Sequence, residues 1–202
     1  MATALHQMRL DAVAHRLLAS GARQVADLGC GQGELLHCLR EYDQFDRLLG
    51  IDTDAEVLAL ARARLMLDPL HPDRRVRLRQ GSFEESDWCS MAIDAAVLLE
   101  TIEHIDPGRL SRLERSLFGQ IAPALVLITT PNRDYNPLHG LTAGERRHPG
   151  HRFEWSRTQF RAWCRGLAER QGYCVDHQDI GPPDPQRGSS TQMACFTRCG
   201  TG

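Results

Sequence analysis

Apolar and polar positions along this chain form blocks that predict strands and helices in alternation. Short apolar runs recur, and the segments between them carry apolar residues at helical spacing. Strands are predicted at 24–28, 47–51, 75–80, 93–99, 124–129, 173–180 and 191–198. Helices are predicted at 3–20, 34–42, 55–67, 107–118 and 157–171. This order predicts an α/β domain with a doubly wound, mainly parallel seven-stranded sheet.

Residues 131–155 depart from the alternation and are rich in Pro, Gly, Asn and His. Irregular stretches of this length inside compact domains are usually functional or disordered. The stretch lies between the fifth strand and the helix predicted from Arg157. The stretch is therefore a candidate to carry functional side chains.

Length and composition predict one ordinary globular domain over residues 1–202. The chain has 42% hydrophobic and 25% charged residues, which is enough to build a packed core. No apolar run approaches the ~20 residues of a membrane span, and the N-terminus lacks a signal-peptide layout. The seven cysteines form no CxxC pair and favour reduced thiols. We expect a cytoplasmic protein.

Charge is informative through its distribution rather than through its total of −2. All 24 basic residues are arginine. Residues 133–170 hold eight arginines against four acids, a local surplus of +4. Contact with phosphate groups is one use of such a surplus, although a solvated helix face has the same composition.

Glu100-Thr-Ile-Glu103-His104 places three metal-capable side chains directly after the fourth predicted strand. On a helix, positions i, i+3 and i+4 fall on one face at ~100° per residue, so the three could hold one cation. A further ligand would come from residues 148–155, which offer His148 and His151. An acidic helix start that only favours the helix dipole is the alternative.

A glycine-rich turn joins the first strand to the first long crossover helix, in the sequence Asp27-Leu-Gly29-Cys-Gly31-Gln-Gly33. A dinucleotide fingerprint requires G-x-G-x-x-G, but Glu34 stands where the last glycine would be. With the acid Asp52 at the end of the next strand, the pattern resembles the S-adenosylmethionine-dependent methyltransferases.

That resemblance implies a Rossmann-like class I fold and a set of cofactor contacts. Asp27 would lie near the methionine amino group, and Asp52 would accept hydrogen bonds from the ribose hydroxyls. Ser82 and Phe83, after the third strand, match the adenine-side loop. The expected cofactor-binding residues are Asp27, Gly29, Gly31, Gly33, Asp52, Ser82, Phe83 and Leu99.

Three absences narrow the methyl acceptor. The fourth strand ends in Leu-Leu-Glu100, without the Pro-Pro-aromatic motif of base amino methylation. Without lysine, the two-lysine mechanism of one large class of ribose methyltransferases is excluded. No Pro-Cys motif supplies a nucleophile for carbon-5 chemistry.

Three motifs resemble the small-RNA 3′-terminal ribose 2′-O-methyltransferases of plants and animals and their bacterial RNA-repair relatives. The family pattern is Glu-x-x-Glu-His, then Thr-Pro-Asn, then His-x-Phe-Glu-Trp-[Ser/Thr]-Arg. Here these motifs read Glu100–His104, Thr130-Pro-Asn132 and His151-Arg-Phe-Glu-Trp-Ser-Arg157. Gly150 departs from the acid that often precedes the final histidine.

The resemblance implies that Glu100, Glu103, His104 and His151 hold one divalent cation and act as the catalytic residues. The donor set suits Mn²⁺ better than Mg²⁺. The implied substrate is RNA with a 2′,3′-diol at its 3′ end, and an RNA-repair kinase/phosphatase–ligase is a candidate partner. The role of His148 stays open: it supports a metal ligand, takes up the proton, or has no part in the reaction.

Two other functions remain open from the sequence. One is a metal-dependent O-methyltransferase acting on a small catechol-like diol, which also presents two adjacent oxygens. The other is a cofactor-binding subunit without catalytic activity, which the intact Glu-Glu-His-His set disfavours. Phe153 and Trp155 have two interpretations. They could stack on a terminal base, or they could belong to the core, which is the commoner place for aromatic residues that enter a helix.

Overall fold

The computed structural model describes residues 3–67, 73–84 and 92–200. The strands within these ranges are β1 Gln24–Leu28, β2 Arg47–Asp52, β3 Val76–Gln80, β4 Ala95–Leu99, β5 Leu125–Pro131, β6 Tyr173–Ile180 and β7 Thr191–Arg198. The α-helices are α1 Ala4–Ser20, α2 Glu34–Leu39, α3 Ala55–Arg64, α4 Leu110–Leu113 and α5 Arg157–Gln171. A π-helix, Glu114–Ile121, continues α4, and 3₁₀ turns cover Ile102–His104, Pro107–Arg109 and Arg133–His139.

The strands form one sheet in the order β3-β2-β1-β4-β5-β7-β6. Neighbouring strands from β3 to β5 are parallel, and β7 runs antiparallel between β5 and β6. The chain order reverses between β1 and β4, where ligands bind in open α/β sheets because the loops after the two strands diverge. The predicted doubly wound, mainly parallel sheet is confirmed.

Helices cover both faces of the sheet and divide the core into two layers. On one face Leu10, Val13 and Leu17 of α1 pack with residues of α2 and α3. On the other face Phe118 and Phe160 pack with residues of α4 and α5. Each fully buried Leu or Phe side chain contributes about 1.5–3 kcal/mol relative to an exposed one, so the two layers hold the sheet from both sides.

Polar side chains cap three helices at the residues where they begin. Thr3 accepts a hydrogen bond from the His6 amide, and Asp54 accepts from the first turn of α3. Ser156 and Gln159 form a reciprocal capping box at the start of α5. The predicted helix over 34–42 is shorter, because i→i−3 bonds tighten the chain after Leu39.

No helix among the described ranges is both long and apolar enough to cross a membrane. Six cysteines in these ranges are free thiols, and Cys89 lies outside them.

Candidate active site

The loops after β1 and β4 meet at the carboxyl edge of the sheet. Thr101 donates a hydrogen bond from its hydroxyl to the Leu28 carbonyl at 3.2 Å. A Cβ added at Gly29 would lie 2.6 Å from the Thr101 methyl carbon and 2.9 Å from its hydroxyl oxygen. Glycine is therefore required where the loops touch, and the two predicted site motifs lie side by side.

The glycine-rich loop folds back onto the end of β2. Gly29, Gly31 and Gly33 have φ angles of 77°, 52° and 74°, in the left-handed region that favours glycine. The Gly31 amide donates to Asp52 Oδ2 at 3.0 Å, and the Asp54 amide donates to the other Asp52 oxygen at 3.0 Å. Asp52 thus fixes the loop with its own carboxylate.

Asp27 lies beneath this loop and is 2% exposed. Burial, together with the negative charge of Asp52, raises the pKa of the Asp27 carboxyl to about 7. Both effects disfavour the ionised carboxylate of Asp27. A cation bound beside Asp27 would oppose them and favour the ionised form.

The remaining predicted cofactor residues lie on two further loops. Ser82 accepts a hydrogen bond from the Glu84 amide, and Phe83 is buried in the core layer that contains α4 and α5. Leu99 is half-buried at the end of β4. Their contacts with a cofactor remain predictions.

Glu100 leaves the sheet in a strained turn, so the three ligand candidates do not lie together on the face of an α-helix, the arrangement considered from their spacing. Its φ is +52°, a left-handed conformation that costs a residue with a side chain about 1–2 kcal/mol. The strand pairing causes this, because the Glu100 amide still donates to the Thr129 carbonyl and hydroxyl of β5. Only Ile102–His104 forms a turn of 3₁₀ helix. Such strain is concentrated at functional sites.

Glu103 is fully buried, with 0% exposure. Its Oε2 accepts a hydrogen bond from the Thr130 hydroxyl at 2.9 Å, whereas its Oε1 is buried and has no hydrogen-bond partner among the described residues. Oε1 of Glu100 is likewise buried and unpartnered. Two carboxylates therefore each bring one unsatisfied oxygen into the interior, which is costly unless a cation compensates them.

Burial raises the pKa of both carboxyl groups in this pair. For Glu103 the negative charge of Glu100 raises the pKa further. For Glu100 the burial effect is opposed by Arg9, whose Nη2 lies 2.9 Å from Glu100 Oε2. The protein groups around Glu100 and Glu103 therefore neutralise the negative charge of these two carboxylates only in part.

Arg9 is a site residue that the sequence reading missed. It belongs to α1, and its Nε also donates to the Thr191 hydroxyl at 2.8 Å. In the sequence, Arg9 is only a charged residue near the buried positions Leu10 and Val13, and many surface helices have such a pattern. Only the packing of α1 across the sheet reveals that this arginine reaches Glu100.

Three histidines converge in a cluster that does not include the two carboxylates, although the charge of His151 acts on Glu100. One donor nitrogen from each of His104, His148 and His151 lies within 4.8 Å of the others. The ring centroids of His104 and His151 are 4.8 Å apart, and His151 is 7% exposed. Burial, followed by repulsion from His151, lowers the pKa of His104 and favours its neutral, metal-binding form.

Hydrogen bonds at Nδ1 orient the two predicted histidine ligands. His104 Nδ1 lies 3.2 Å from the Gly150 carbonyl oxygen, and His151 Nδ1 lies 2.6 Å from Glu154 Oε1. Both partners are acceptors, so each Nδ1 carries the proton and each Nε2 keeps its lone pair. Metal-binding histidines in proteins are usually oriented in this way.

Glu154 is held by two further donors. Asn136 donates its side-chain amide to Oε2 at 2.7 Å, and the Arg147 backbone amide donates to Oε1 at 2.8 Å. Burial alone would raise the pKa of Glu154, but the hydrogen bonds from His151, Asn136 and Arg147 lower it to about 2. Glu154 is therefore an ionised acceptor that fixes His151.

The arginine surplus of residues 133–170 divides into structural and free side chains. Arg147 donates to Asn136, to Ser190 and to the Asn132 carbonyl, while Arg157 and Arg170 pair with acids. Five exposed arginines form no hydrogen bond through their side chains and no ion pair with the described residues: Arg133, Arg146, Arg152, Arg161 and Arg165.

The aromatic residues before α5 belong to the core. Phe153 and Trp155 have ring centroids 4.3 Å apart, and Trp155 lies 5.2 Å from Trp163. Both pack against the layer beneath α5 while remaining half-exposed. The core alternative is thus confirmed for this pair.

Known proteins resemble this chain over most of its length. Residues 25–123 match a family model described as a methyltransferase domain. The chain is 35% identical to a small RNA 2′-O-methyltransferase of Xenopus tropicalis, over 96% of this chain and 55% of that protein. It is also 35% identical to one from Rattus norvegicus, over 88% of this chain and 47% of that protein. The chain thus spans about half the length of the curated relatives it matches.

Solved structures agree with these relatives. The methyltransferase domain of bacterial CtHen1 superposes with a TM-score of 0.87 at 39% identity, over 97% of this chain and 100% of that domain. The small RNA methyltransferase HEN1 superposes with a TM-score of 0.87 at 28% identity, over 97% of this chain and 25% of that one. The fold is that of a Rossmann-like class I methyltransferase.

Proposed function

Because this chain belongs to the small-RNA 2′-O-methyltransferase family, we propose that it methylates the 2′-hydroxyl of the 3′-terminal nucleotide of RNA. The methyl donor is S-adenosylmethionine, and a divalent cation is required. One observation carries the proposal. Glu100 and Glu103 each have a buried oxygen without a hydrogen-bond partner among the described residues, and the charge of His151 acts on Glu100. His104 and His151 both direct Nδ1 to an acceptor, which leaves a lone pair on Nε2.

The cofactor part rests on Asp27, Asp52 and the glycine loop between them. In our proposal Asp27 accepts the methionine ammonium group, which compensates its buried charge. Asp52 keeps acceptor capacity for ribose hydroxyls while its two oxygens hold the Gly31 and Asp54 amides. Each carboxylate oxygen has two lone pairs, so both tasks are compatible.

The metal part assigns Glu100, Glu103, His104 and His151 as ligands, a mixed oxygen and nitrogen set that favours Mn²⁺ over Mg²⁺. A cation bound there would lower the pKa of a ribose hydroxyl and thereby strengthen it as a nucleophile. The unpartnered Oε1 atoms of both glutamates support this assignment.

The protein groups around these ligands fix their positions and protonation. Thr130 holds Glu103 through one oxygen and leaves the other available. Arg9 neutralises part of the charge of Glu100. Glu154 keeps the proton of His151 on Nδ1. The acceptor oxygen and the sulfonium methyl group would then be held in line at contact distance, which is the main rate advantage of such a site.

RNA binding is supported by the five exposed arginines that lack partners among the described residues. Arg146 and Arg152 flank His148 and His151 in sequence, and Arg161 and Arg165 lie on α5. Backbone phosphates are the natural partners of such guanidinium groups. Binding should therefore weaken steeply with salt and depend little on base identity.

The test is transfer of labelled methyl from S-adenosylmethionine to a short RNA in the presence of Mn²⁺, with a catechol as competitor. We expect one methyl group on the terminal ribose, which makes the RNA end resistant to periodate. Preferential methylation of the catechol would replace this proposal with the small-diol alternative. A protein that binds the cofactor and methylates neither acceptor would favour a non-catalytic subunit.

Cofactor affinity is expected to fall with pH below about 7, because the pKa of Asp27 is raised to about 7 and binding needs its ionised form. Each pH unit below that value should cost up to about tenfold, since one proton must leave for each ligand bound. Calorimetry between pH 5.5 and 8 measures the slope. Asp27→Asn should bind weakly with a flat profile, and the exposed control Asp43→Asn should match the wild type.

A further inference from the structure

Gly150 lies between two imidazole rings and contacts each through a different backbone group. Its amide donates a hydrogen bond to His148 Nδ1 at 3.0 Å, and its carbonyl oxygen lies 3.2 Å from His104 Nδ1. The contacts are close, since a Cβ added at Gly150 would lie 3.0 Å from His148 Nδ1 and 3.2 Å from His104 Nδ1. One residue therefore sets the hydrogen bonding of two histidines.

The two contacts impose opposite tautomers. A backbone amide is only a donor, so His148 Nδ1 must be unprotonated, and the neutral ring carries its proton on Nε2. A carbonyl oxygen is only an acceptor, so His104 Nδ1 must carry the proton and its Nε2 has the free lone pair. His151 follows His104, because its Nδ1 lies 2.6 Å from an oxygen of the Glu154 side chain, which accepts the hydrogen bond.

The three histidines consequently differ in function although their donor nitrogens lie within 4.8 Å of one another. His104 and His151 present lone pairs, as metal ligands must. His148 has its one lone pair occupied by the Gly150 amide and presents an N–H group. Distance alone would count all three as ligands, whereas hydrogen bonding leaves two.

We propose that His148 is a substrate-binding residue, whose Nε2–H donates a hydrogen bond to a phosphodiester oxygen at the 3′ end of the RNA. This rests on the proposed function. His148 is exposed, as is the ligand His104, whereas the ligand His151 is buried, so hydrogen bonding rather than exposure separates His148 from both ligands. The exposed Arg146 and Arg152, without partners among the described residues, flank it in the chain and favour an anionic oxygen over a neutral one.

The tautomers can be measured in the metal-free protein, independently of activity. Long-range ¹H–¹⁵N correlation of protein labelled at histidine distinguishes protonated from unprotonated ring nitrogens, and single His→Gln variants assign the signals. At pH 8 we expect protonated Nε2 for His148 and protonated Nδ1 for His104 and His151. Protonated Nδ1 in His148 would overturn the proposal.

Metal affinity provides the second measurement. Calorimetric titration with Mn²⁺ should give His148→Ala an affinity within about threefold of the wild type. His151→Ala should lose at least about tenfold, because even residues that merely orient ligands cost 10–100-fold. The exposed His15→Ala is the matched control. A loss in His148→Ala equal to that in His151→Ala would make His148 a ligand and overturn the proposal.

Kinetics with RNA complete the test. His148→Ala should raise the KM for RNA about tenfold or more, the effect of a lost hydrogen bond to a charged group, with the smaller change in kcat. His148→Gln restores an N–H donor at a similar distance and should recover most of the loss. An unchanged KM in His148→Ala would overturn the proposal.

The same experiments separate this inference from the proposed function. A wild-type protein with these tautomers and with Mn²⁺ affinity, but without methylation of RNA, would overturn the proposed function. The substrate role of His148 would fail with it, whereas the division of the histidines into two ligands and one donor would be supported.

Discussion

Glu103→Gln is expected to make the metal-free protein more stable while abolishing methyl transfer. The pKa of Glu103 is raised by burial and by the charge of Glu100, so the ionised side chain is unfavourable in the absence of a cation. Glutamine is neutral and keeps an oxygen for the Thr130 hydroxyl. A metal ligand is lost, and turnover should fall at least about 100-fold, because metals contribute several kcal/mol to such steps.

The stability gain should depend on pH with a definite sign. A carboxyl group whose pKa is raised on folding stabilises the protein fully below its ordinary pKa and loses that contribution as the pH rises toward the raised value. The melting temperature of Glu103→Gln should therefore approach that of the wild type below pH 4.5 and exceed it at pH 8. A difference of about 1 kcal/mol corresponds to roughly 2–4 °C in a chain of this size.

Scanning calorimetry with and without Mn²⁺ measures both effects. Mn²⁺ should raise the melting temperature of the wild type, because it binds only the folded state, and should leave that of Glu103→Gln unchanged. Glu169→Gln, an exposed substitution on α5, serves as the control. If Glu103→Gln were destabilised at pH 8 and still stabilised by Mn²⁺, Glu103 would be a structural residue rather than a ligand.

RNA ending in a 2′,3′-diol is expected to be the only good substrate. A 2′-deoxy end offers no nucleophile and should give no product. A 3′-phosphate brings negative charge next to Glu100 and the buried Glu103 and should also be inactive, because like charges repel strongly where solvent is excluded. A 3′-deoxy end keeps the nucleophile but loses one of two adjacent oxygens, and we expect a reaction at least about tenfold slower.

The measurement is a set of single-turnover rates on four RNAs of one sequence that differ only at the last ribose. A second set with the diol and each of the four terminal bases is the control and should give similar rates. Equal rates on diol and 3′-phosphate ends, or methyl groups at internal nucleotides, would show that the carboxylates do not face the terminal ribose.

The sequence predicted the elements of the fold because its apolar periodicities reflect the two core layers directly. Strand β4 is a continuous apolar run because both of its faces are covered, and the glycine loop is recognisable because close backbone approach leaves no room for a Cβ. These are local constraints, in which each residue reports on its own surroundings.

The details of the site depend on contacts between distant segments and could not be read in that way. Glu100 adopts its left-handed turn because β5 holds its amide, which helical spacing does not encode. Arg9 reaches Glu100 only because α1 packs across the sheet, 91 positions earlier in the chain. Arg147 belonged to an apparent phosphate-binding surplus, yet three hydrogen-bonding partners occupy its guanidinium group.

The three histidines show the same limit within a single cluster. Residue type and spacing marked His148 and His151 equally as candidates for a further ligand. They are distinguished by the partner of one ring nitrogen, an amide for His148 and a carboxylate for His151. Such a distinction becomes visible only when backbone and side-chain positions are known together.

The most direct measurement of the central claim is methyl transfer by wild-type protein that has been stripped of metal and then titrated with Mn²⁺. Calorimetry on the stripped protein should show S-adenosylmethionine binding largely intact, because the cofactor residues Asp27 and Asp52 are distinct from the four ligands. Transfer to diol-ended RNA should be absent in excess chelator and should return with Mn²⁺, more fully than with Mg²⁺. Equal turnover in the chelator would contradict the account.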